Sequence, residues 1–236
     1  MRILTASGPR PKHRRSVLPP GATRFRRRLL AWFGRHQRRL PWRGVGDPYA
    51  VLVSEMMLQQ TQVSRVIEFY PRFLASYPTL EDLAAAPADA VRDAWDGLGY
   101  YARARNLHAA ARHVVHDLGG RLPDTRDELR RLPGIGRYTA GAVASLAFGA
   151  DVPAVDTNAA RVLGRVFGVR GRRKSARRDR RLWALAAALV PRGRSADWNQ
   201  ALMDLGATIC AARVPRCPVC PVRTCCATGS MRLRAP

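Results

Sequence analysis

The apolar and polar positions of this chain never hold the two-residue alternation of a half-buried strand over a sustained stretch. Apolar segments are set instead between residues that start and stop helices. Asp47-Pro48 supplies an N-cap and a first helical residue, and predicts a helix running through Glu55 and Met57. Thr79-Leu80-Glu81-Asp82 and Thr125-Arg126-Asp127-Glu128 match the capping-box pattern. Gly119-Gly120 closes a helix that begins near Tyr101, and Gly149 and Gly168 close the next two. A further helix is predicted over Ala159 to Phe167. The pattern as a whole predicts eight to ten short helices and an all-α fold, without a repeat of fixed period. Residues 1–20, with Pro9, Pro11, Pro19 and Pro20, read as a flexible basic arm. Residues 170–178 read as a basic loop or helix start, and the last residues as a short tail.

Composition fills in the class. At 236 residues and 47% hydrophobic, the chain is long enough for a buried core and too apolar for general disorder. Its longest unbroken apolar run, Leu182 to Val190, is nine residues. That is less than half of the about 20 needed to span a bilayer. The first twenty residues contain no apolar core of a secretory signal, so none is expected; they are Arg-rich and acid-free, which leaves an organellar transit role open.

The net charge of +24 is uneven. Residues 1–44 hold 13 basic residues and no acidic one, and residues 170–194 hold 10 basic residues and one acidic, Asp179. The remainder carries 18 basic and 16 acidic residues. Two basic blocks on a nearly neutral body suit a polyanionic partner. The blocks are almost wholly arginine, which forks phosphate bidentately. A genome that writes Arg for Lys would give the same composition.

All five cysteines, Cys210, Cys217, Cys220, Cys225 and Cys226, fall within 17 residues. Thiols clustered in this way, with no sign of an oxidising compartment, point to a metal. The spacing Cys210-x6-Cys217-x2-Cys220-x5-Cys226 offers four thiolates from one loop. Only one C-x2-C pair is present, where a zinc ribbon needs two. An iron–sulfur cluster or an atypical zinc site remains. Cys225 competes with Cys226 for the fourth position.

Leu132 to Gly141, Leu-Pro-Gly-Ile-Gly-Arg-Tyr-Thr-Ala-Gly, reads as helix, sharp glycine turn, helix. Gly134 and Gly136 let the backbone turn tightly and leave its N–H groups bare. The second helix then offers its N-terminus to a phosphate, which holds DNA without reading its sequence. A plain αα-turn fits the same residues. Two carboxylates stand out. Asp156, in Val155-Asp156-Thr157-Asn158, caps the next helix on a bland reading and otherwise keeps an ionised carboxylate near the hairpin. Glu55 interrupts an apolar helix and is either solvent-facing or held where its pKa rises, ready to donate a proton near neutral pH. One raised acid and one anion suit the breaking of a glycosidic bond through an oxocarbenium-like state.

With these residues in place, the chain from about residue 24 to 228 resembles the adenine DNA glycosylase (MutY) branch of the helix–hairpin–helix DNA glycosylase superfamily. The likeness lies in Leu40-Pro41-Trp42-Arg43, in Ser54 to Val63 (Ser-Glu-Met-Met-Leu-Gln-Gln-Thr-Gln-Val) and in Gly97 to His108 (Gly-Leu-Gly-Tyr-Tyr-Ala-Arg-Ala-Arg-Asn-Leu-His). It continues through the hairpin, Val155 to Asn158, Asn199 to Ala207 and the cysteine loop. The resemblance implies a six-helix barrel over residues 45–155 containing the hairpin. It also implies an iron–sulfur module built from residues 21–44 and 156–228, and leaves residues 229–236 as the tail. DNA enters between the two parts, and the target base flips out of the duplex.

The resemblance also implies roles. Glu55 matches the acid that protonates adenine, and Asp156 the carboxylate that stabilises or bonds the sugar cation. Tyr138 and Asn158 match residues that orient the chemistry. Gln200 matches a base contact, with Trp42 and Arg43 lining the same pocket. Gln60 and Tyr100 match residues that wedge into the helix near the orphaned partner base. Gly134, Gly136 and Arg137 hold the DNA backbone. Cys210, Cys217, Cys220 and Cys226 would carry one structural [4Fe-4S] cluster and set Arg213, Arg216 and Arg223 against phosphate. Endonuclease III-type relatives place a lysine where Tyr138 stands. A phenol forms no Schiff base, so a monofunctional enzyme is expected.

Two features depart from the branch. Thr157 stands where many adenine glycosylases have Gly, and the chain stops ten residues after Cys226, so it reads as a short form without the second domain that recognises 8-oxoguanine. The expected activity is excision of adenine opposite 8-oxoguanine or guanine, by a monomer acting on double-stranded DNA, without a membrane, in a bacterial cytoplasm at the nucleoid. A thymine–guanine mismatch glycosylase is the alternative within the superfamily, and a non-catalytic iron–sulfur DNA-binding protein the alternative outside it.

Overall fold

A computed structural model describes residues 18–172 and 175–232. Most of the arm expected over residues 1–20, and the last four residues of the tail, lie outside that range. The described chain consists of twelve α-helices and two 3₁₀ turns, with no strand among the described residues. The helices are α1 (Ala22–His36), α2 (Pro48–Leu58), α3 (Val63–Ser76), α4 (Leu80–Ala85), α5 (Ala88–Ala94), α6 (Ala102–Asp117), α7 (Arg126–Leu129), α8 (Arg137–Leu146), α9 (Thr157–Val166), α10 (Ala176–Leu189), α11 (Ser195–Thr208) and α12 (Ala227–Arg232). The all-α expectation holds, but eight to ten helices was too few. The excess comes from α5 and α12, of seven and six residues, which no capping box announces and which are too short for a helical period to show in sequence. The last helix, Ala227–Arg232, runs across the expected start of the tail at residue 229.

Local chemistry sets the boundaries. Asp47 caps α2 by accepting from the Tyr49 and Ala50 amides, both at 3.1 Å. Thr79 and Asp82 form the reciprocal capping box of α4. Thr125 caps α7 through the Glu128 amide, but the Glu128 carboxylate returns to the Thr125 hydroxyl instead of its backbone, so the second box is half formed. Helix α10 opens at Ala176, where Ser175 accepts from the Arg178 amide.

Two hydrophobic cores form. The first draws its buried residues from α2 to α8 and is filled by Phe73, Leu83, Trp95, Leu107 and Leu129. The second joins α1 to α9, α10 and α11, with Trp198 edge-on to Phe25 at 5.5 Å. Phe25 is in turn edge-on to Phe167 at 5.4 Å. Arg26 of α1 fixes this arrangement by donating to the Ala188 and Leu189 carbonyls at the end of α10, at 2.7 and 2.8 Å. Buried Asn199 of α11 ties the cores together. Its amide donates to Ser145 Oγ at 2.9 Å and the Val152 carbonyl at 3.0 Å, and its oxygen accepts from the Ala154 amide at 3.0 Å. The strand of chain leading to Asp156 is thereby held in place.

In the hairpin, Gly134 alone needs to be glycine. Its φ is +72°, and a Cβ there would lie 2.5 Å from Cβ of Asn106. Gly136 caps α8 at φ −83°, a conformation open to other residues, so only one of the two glycines makes the sharp turn.

Candidate active site

Helix α2 is apolar on all sides and buried from Tyr49 to Met57, so Glu55 has no solvent-facing side to occupy. It is 4% exposed and points into a cavity of about 650 Å³. Desolvation raises its pKa from 4.5 to about 7. The Tyr138 hydroxyl offsets part of that rise, and the charge of Asp156 adds to it. Glu55 Oε2 has no hydrogen-bond partner among the described residues. The Tyr138 phenol is held well above its ordinary pKa, first by burial and then by Glu55 and Asp156, so it stays a donor. Its hydroxyl lies 3.8 Å from Met203 Sδ.

Asp156 is both of the things its sequence allowed. It is the N-cap of α9, accepting from the Ala159 amide at 2.6 Å, and it lines the same cavity. Asn158 Nδ2 donates to its second oxygen at 2.8 Å. Asn158 Oδ1 accepts in turn from Arg161 at 2.6 Å, and Arg161 also donates to the carbonyls of Gly206 and Cys210, each at 2.8 Å. Helix α11 can come this close to Asn158 because residue 206 is glycine; a Cβ there would lie 2.6 Å from Cβ of Asn158.

Trp42, Arg43, Gln60 and Gln200 line the same cavity. Arg43 donates to Gln200 Oε1 at 2.7 Å, and Trp42 packs edge-on against Tyr70. Tyr100 lies outside the lining and is 60% exposed. Gly134, Gly136 and Arg137 are outside it too. Arg137, expected on phosphate, has its guanidinium 3.9 Å from the ring centre of Trp183 in α10, so the hairpin is seated on the basic helix.

One residue escaped the sequence reading. Asp204 is fully buried and pairs with both Arg43 and Arg38, at 3.0 and 2.7 Å. The signal was present: like Glu55, it is a carboxylate inside an apolar helical run, Ala201 to Leu205.

The family follows from comparison. Residues 53–187 match the family described as HhH-GPD superfamily base excision DNA repair protein. The chain belongs to this family. The matched span of this HhH-GPD protein contains Glu55, Tyr138, Asp156 and Asn158, and ends before Gln200 and the cysteines. The chain is 48% identical over 213 residues to adenine DNA glycosylase of Homo sapiens, covering 86% of this chain and 39% of that one. It is 44% identical over 203 residues to adenine DNA glycosylase of Mycobacterium tuberculosis, covering 84% and 65%. It therefore spans about two-fifths of the human relative's length and about two-thirds of the mycobacterial one's. Among solved structures, a thermostable thymine-DNA glycosylase superposes with a TM-score of 0.82 at 36% identity, over 89% of this chain and 97% of that one. Endonuclease III trapped as a covalent DNA intermediate superposes with a TM-score of 0.74 at 27% identity, over 90% and 99%. No helix among the described residues is long and apolar enough to cross a membrane.

In the HhH-GPD chain the cysteine loop follows α11. Cys210, Cys217, Cys220 and Cys226 line one small cavity, walled by Val162, Leu205, Ile209 and Val222. Cys225 lines a separate groove with Pro19, Arg24 and Leu185, which Cys226 also borders. Burial pushes the Cys220 thiol up to about 11, and the thiols of Cys210, Cys226 and Cys217 push in the same direction. Among the described residues no three of these side chains are drawn together as a ligand set. Four thiols bordering one small, mostly apolar cavity are nevertheless, as side-chain types, a donor set that suits a multivalent metal centre.

Proposed function

We propose that the chain excises adenine mispaired with 8-oxoguanine or guanine in double-stranded DNA, as a monofunctional glycosylase of the HhH-GPD family. The observation that carries this reading is the meeting of Glu55 and Asp156, from two different helices, on one cavity large enough for a flipped base. Glu55, with a pKa near 7, still holds a proton to donate near neutral pH, and Asp156 borders the same cavity.

The chemistry balances as a hydrolysis. Glu55 gives its proton to a ring nitrogen of adenine, and the electrons of the glycosidic bond leave with the base. Asp156 faces the resulting sugar cation, water adds at the anomeric carbon, and the proton that this water loses restores the Glu55 acid, directly or through solvent. Asn158 and the Ala159 amide hold the Asp156 carboxylate in its orientation. Tyr138 keeps its hydroxyl protonated, by burial first, as a donor within reach of Glu55. Arg43 fixes the Gln200 amide by occupying its oxygen; one amide N–H donates to the Ala196 carbonyl at 3.4 Å, which leaves the other to address an acceptor on the base. Among the described residues that line the cavity none is a lysine, and the phenol of Tyr138 forms no Schiff base, which supports base removal without strand cleavage.

Cys210, Cys217, Cys220 and Cys226 would hold one [4Fe-4S] cluster, which would cross-link the loop and stabilise the second core. The Arg-rich blocks and the hairpin would provide sequence-independent grip on phosphate. The protein is read as a monomer acting on the bacterial chromosome.

The thymine-DNA glycosylase neighbour, covered to 97% by this chain, favours thymine in a T:G pair as the second reading. Duplexes carrying A:8-oxoguanine, A:G and T:G, incubated with the protein and then treated with alkali, separate the two. Cleavage at A in the first two supports the proposal. Cleavage only at T overturns it.

A further inference from the structure

Arg103 is the second residue of α6 and only 6% exposed, and its guanidinium has no carboxylate partner among the described residues. Five backbone carbonyls surround it instead. Nη1 donates to Met56, Met57 and Gln59, at 3.0, 2.7 and 2.5 Å. Nη2 donates to Leu98 and Gly99, at 3.2 and 2.8 Å. The first group is the negative end of α2, which carries Glu55. The second is the turn that leads into α6. Trp95 and Tyr100 lie against the guanidinium, with ring centres 5.5 and 5.6 Å away.

The carbonyls of Gln59 and Gly99 immediately precede Gln60 and Tyr100. Those are the only two non-glycine residues with positive φ among the described residues, at 57° and 51°. Both are exposed. Non-glycine residues stay in the left-handed region only where their surroundings over-determine them. A single buried cation therefore holds the peptide ahead of each strained residue, across 40 positions of sequence.

We propose that Arg103 is a positioning residue that fixes the Gln60 and Tyr100 turns as one rigid pair, so that both enter the duplex together when the target base is extruded. The pair is also tied to the end of α2, so its spacing from Glu55 is set by the same side chain. This inference rests on the glycosylase reading above for the role of the two tips. It adds a residue that touches neither base nor phosphate.

Arg103→Lys keeps the charge and loses the fork that spans both turns. Single-turnover excision should fall about a hundredfold on an A:8-oxoguanine duplex, the scale of a small misplacement of catalytic parts. It should stay within about threefold on a duplex whose adenine lies opposite an abasic analogue, because extrusion is then cheap. Equal losses on both substrates would overturn the inference. A second measurement covers a variant that folds poorly. In a Gln60→Gly, Tyr100→Gly background the strain is relieved, so Arg103→Lys should lower the melting temperature much less than in the natural background, or regain a fold it otherwise loses. The same drop in both backgrounds, or no fold in either, would overturn it. If the natural chain excises nothing, the glycosylase reading fails, and the melting comparison still decides whether Arg103 holds the two turns.

Discussion

The buried carboxylate of Asp204 grips Arg43 through both of its oxygens, each 3.0 Å from Nη2. The opposite nitrogen of Arg43 reaches Gln200 at 2.7 Å, so one acidic residue of α11 aims the polar wall of the cavity. Asp204→Asn would leave Arg43 mostly buried without a counter-charge. Breaking a pair in this way costs about 3 kcal/mol or more. Urea denaturation should show that loss, and the KM for the mispaired duplex should rise more than kcat falls.

The charge of Glu55 is a burden on the fold and its proton an asset to the chemistry. Its pKa is raised in the folded state, from 4.5 to about 7, so the protonated form is favoured by folding. The contribution is fully present below about pH 4.5. It is lost as pH rises from 4.5 through 7, by an amount on the order of 3 kcal/mol. Glu55→Gln should flatten that stretch of the stability profile, and should leave the protein at least as stable at pH 8. Excision by the natural chain should decline as pH rises through about 7. The Gln variant should lose a factor of about 10² to 10⁴ at every pH, the usual contribution of a general acid.

A methyl group on residue 206 has nowhere to go, because Asn158 Cβ would lie 2.6 Å away. Gly206→Ala should lower stability by about 1–3 kcal/mol, as overpacking does. It should also slow excision, because Asn158 holds Asp156. Substitution to Ala at Gly136, with open space around the site and an ordinary φ, serves as the control for stability and should leave the melting temperature nearly unchanged.

Much of this architecture was legible in the residues. Asp47-Pro48, Thr79 to Asp82 and Gly119-Gly120 marked helix ends because caps are local chemistry. Glu55 stood out because an acid in an apolar helix has few bland explanations. Asp204, in Ala201 to Leu205, meets the same criterion. Arg103 was beyond reach, since nothing in Ala102-Arg103-Ala104-Arg105 separates the buried arginine from its exposed neighbour Arg105. Its role depends on two turns that meet only in the folded chain. The short helices α5 and α12 escaped a clear count for a related reason: tertiary packing, not their own pattern, holds them.

The cysteines make a graded prediction. Cys217→Ser, Cys220→Ser or Cys226→Ser should remove most of the iron and the yellow-brown absorption of purified protein, and lower its melting temperature. Cys225→Ser should keep both, since that side chain faces a different groove. A colourless natural protein that binds zinc would contradict the iron–sulfur assignment. Equal iron loss in all four variants would contradict the ligand set.

The central claim is that Glu55 and Asp156 together break the bond between adenine and its sugar. Mass spectrometry of a single-turnover reaction on an A:8-oxoguanine duplex tests it most directly. The natural chain should give free adenine and an abasic strand that stays intact until alkali is added, with neither product from Glu55→Gln or Asp156→Asn protein that still binds the duplex. Free adenine released at undiminished rates by those variants, or no released base from the natural protein, would contradict it.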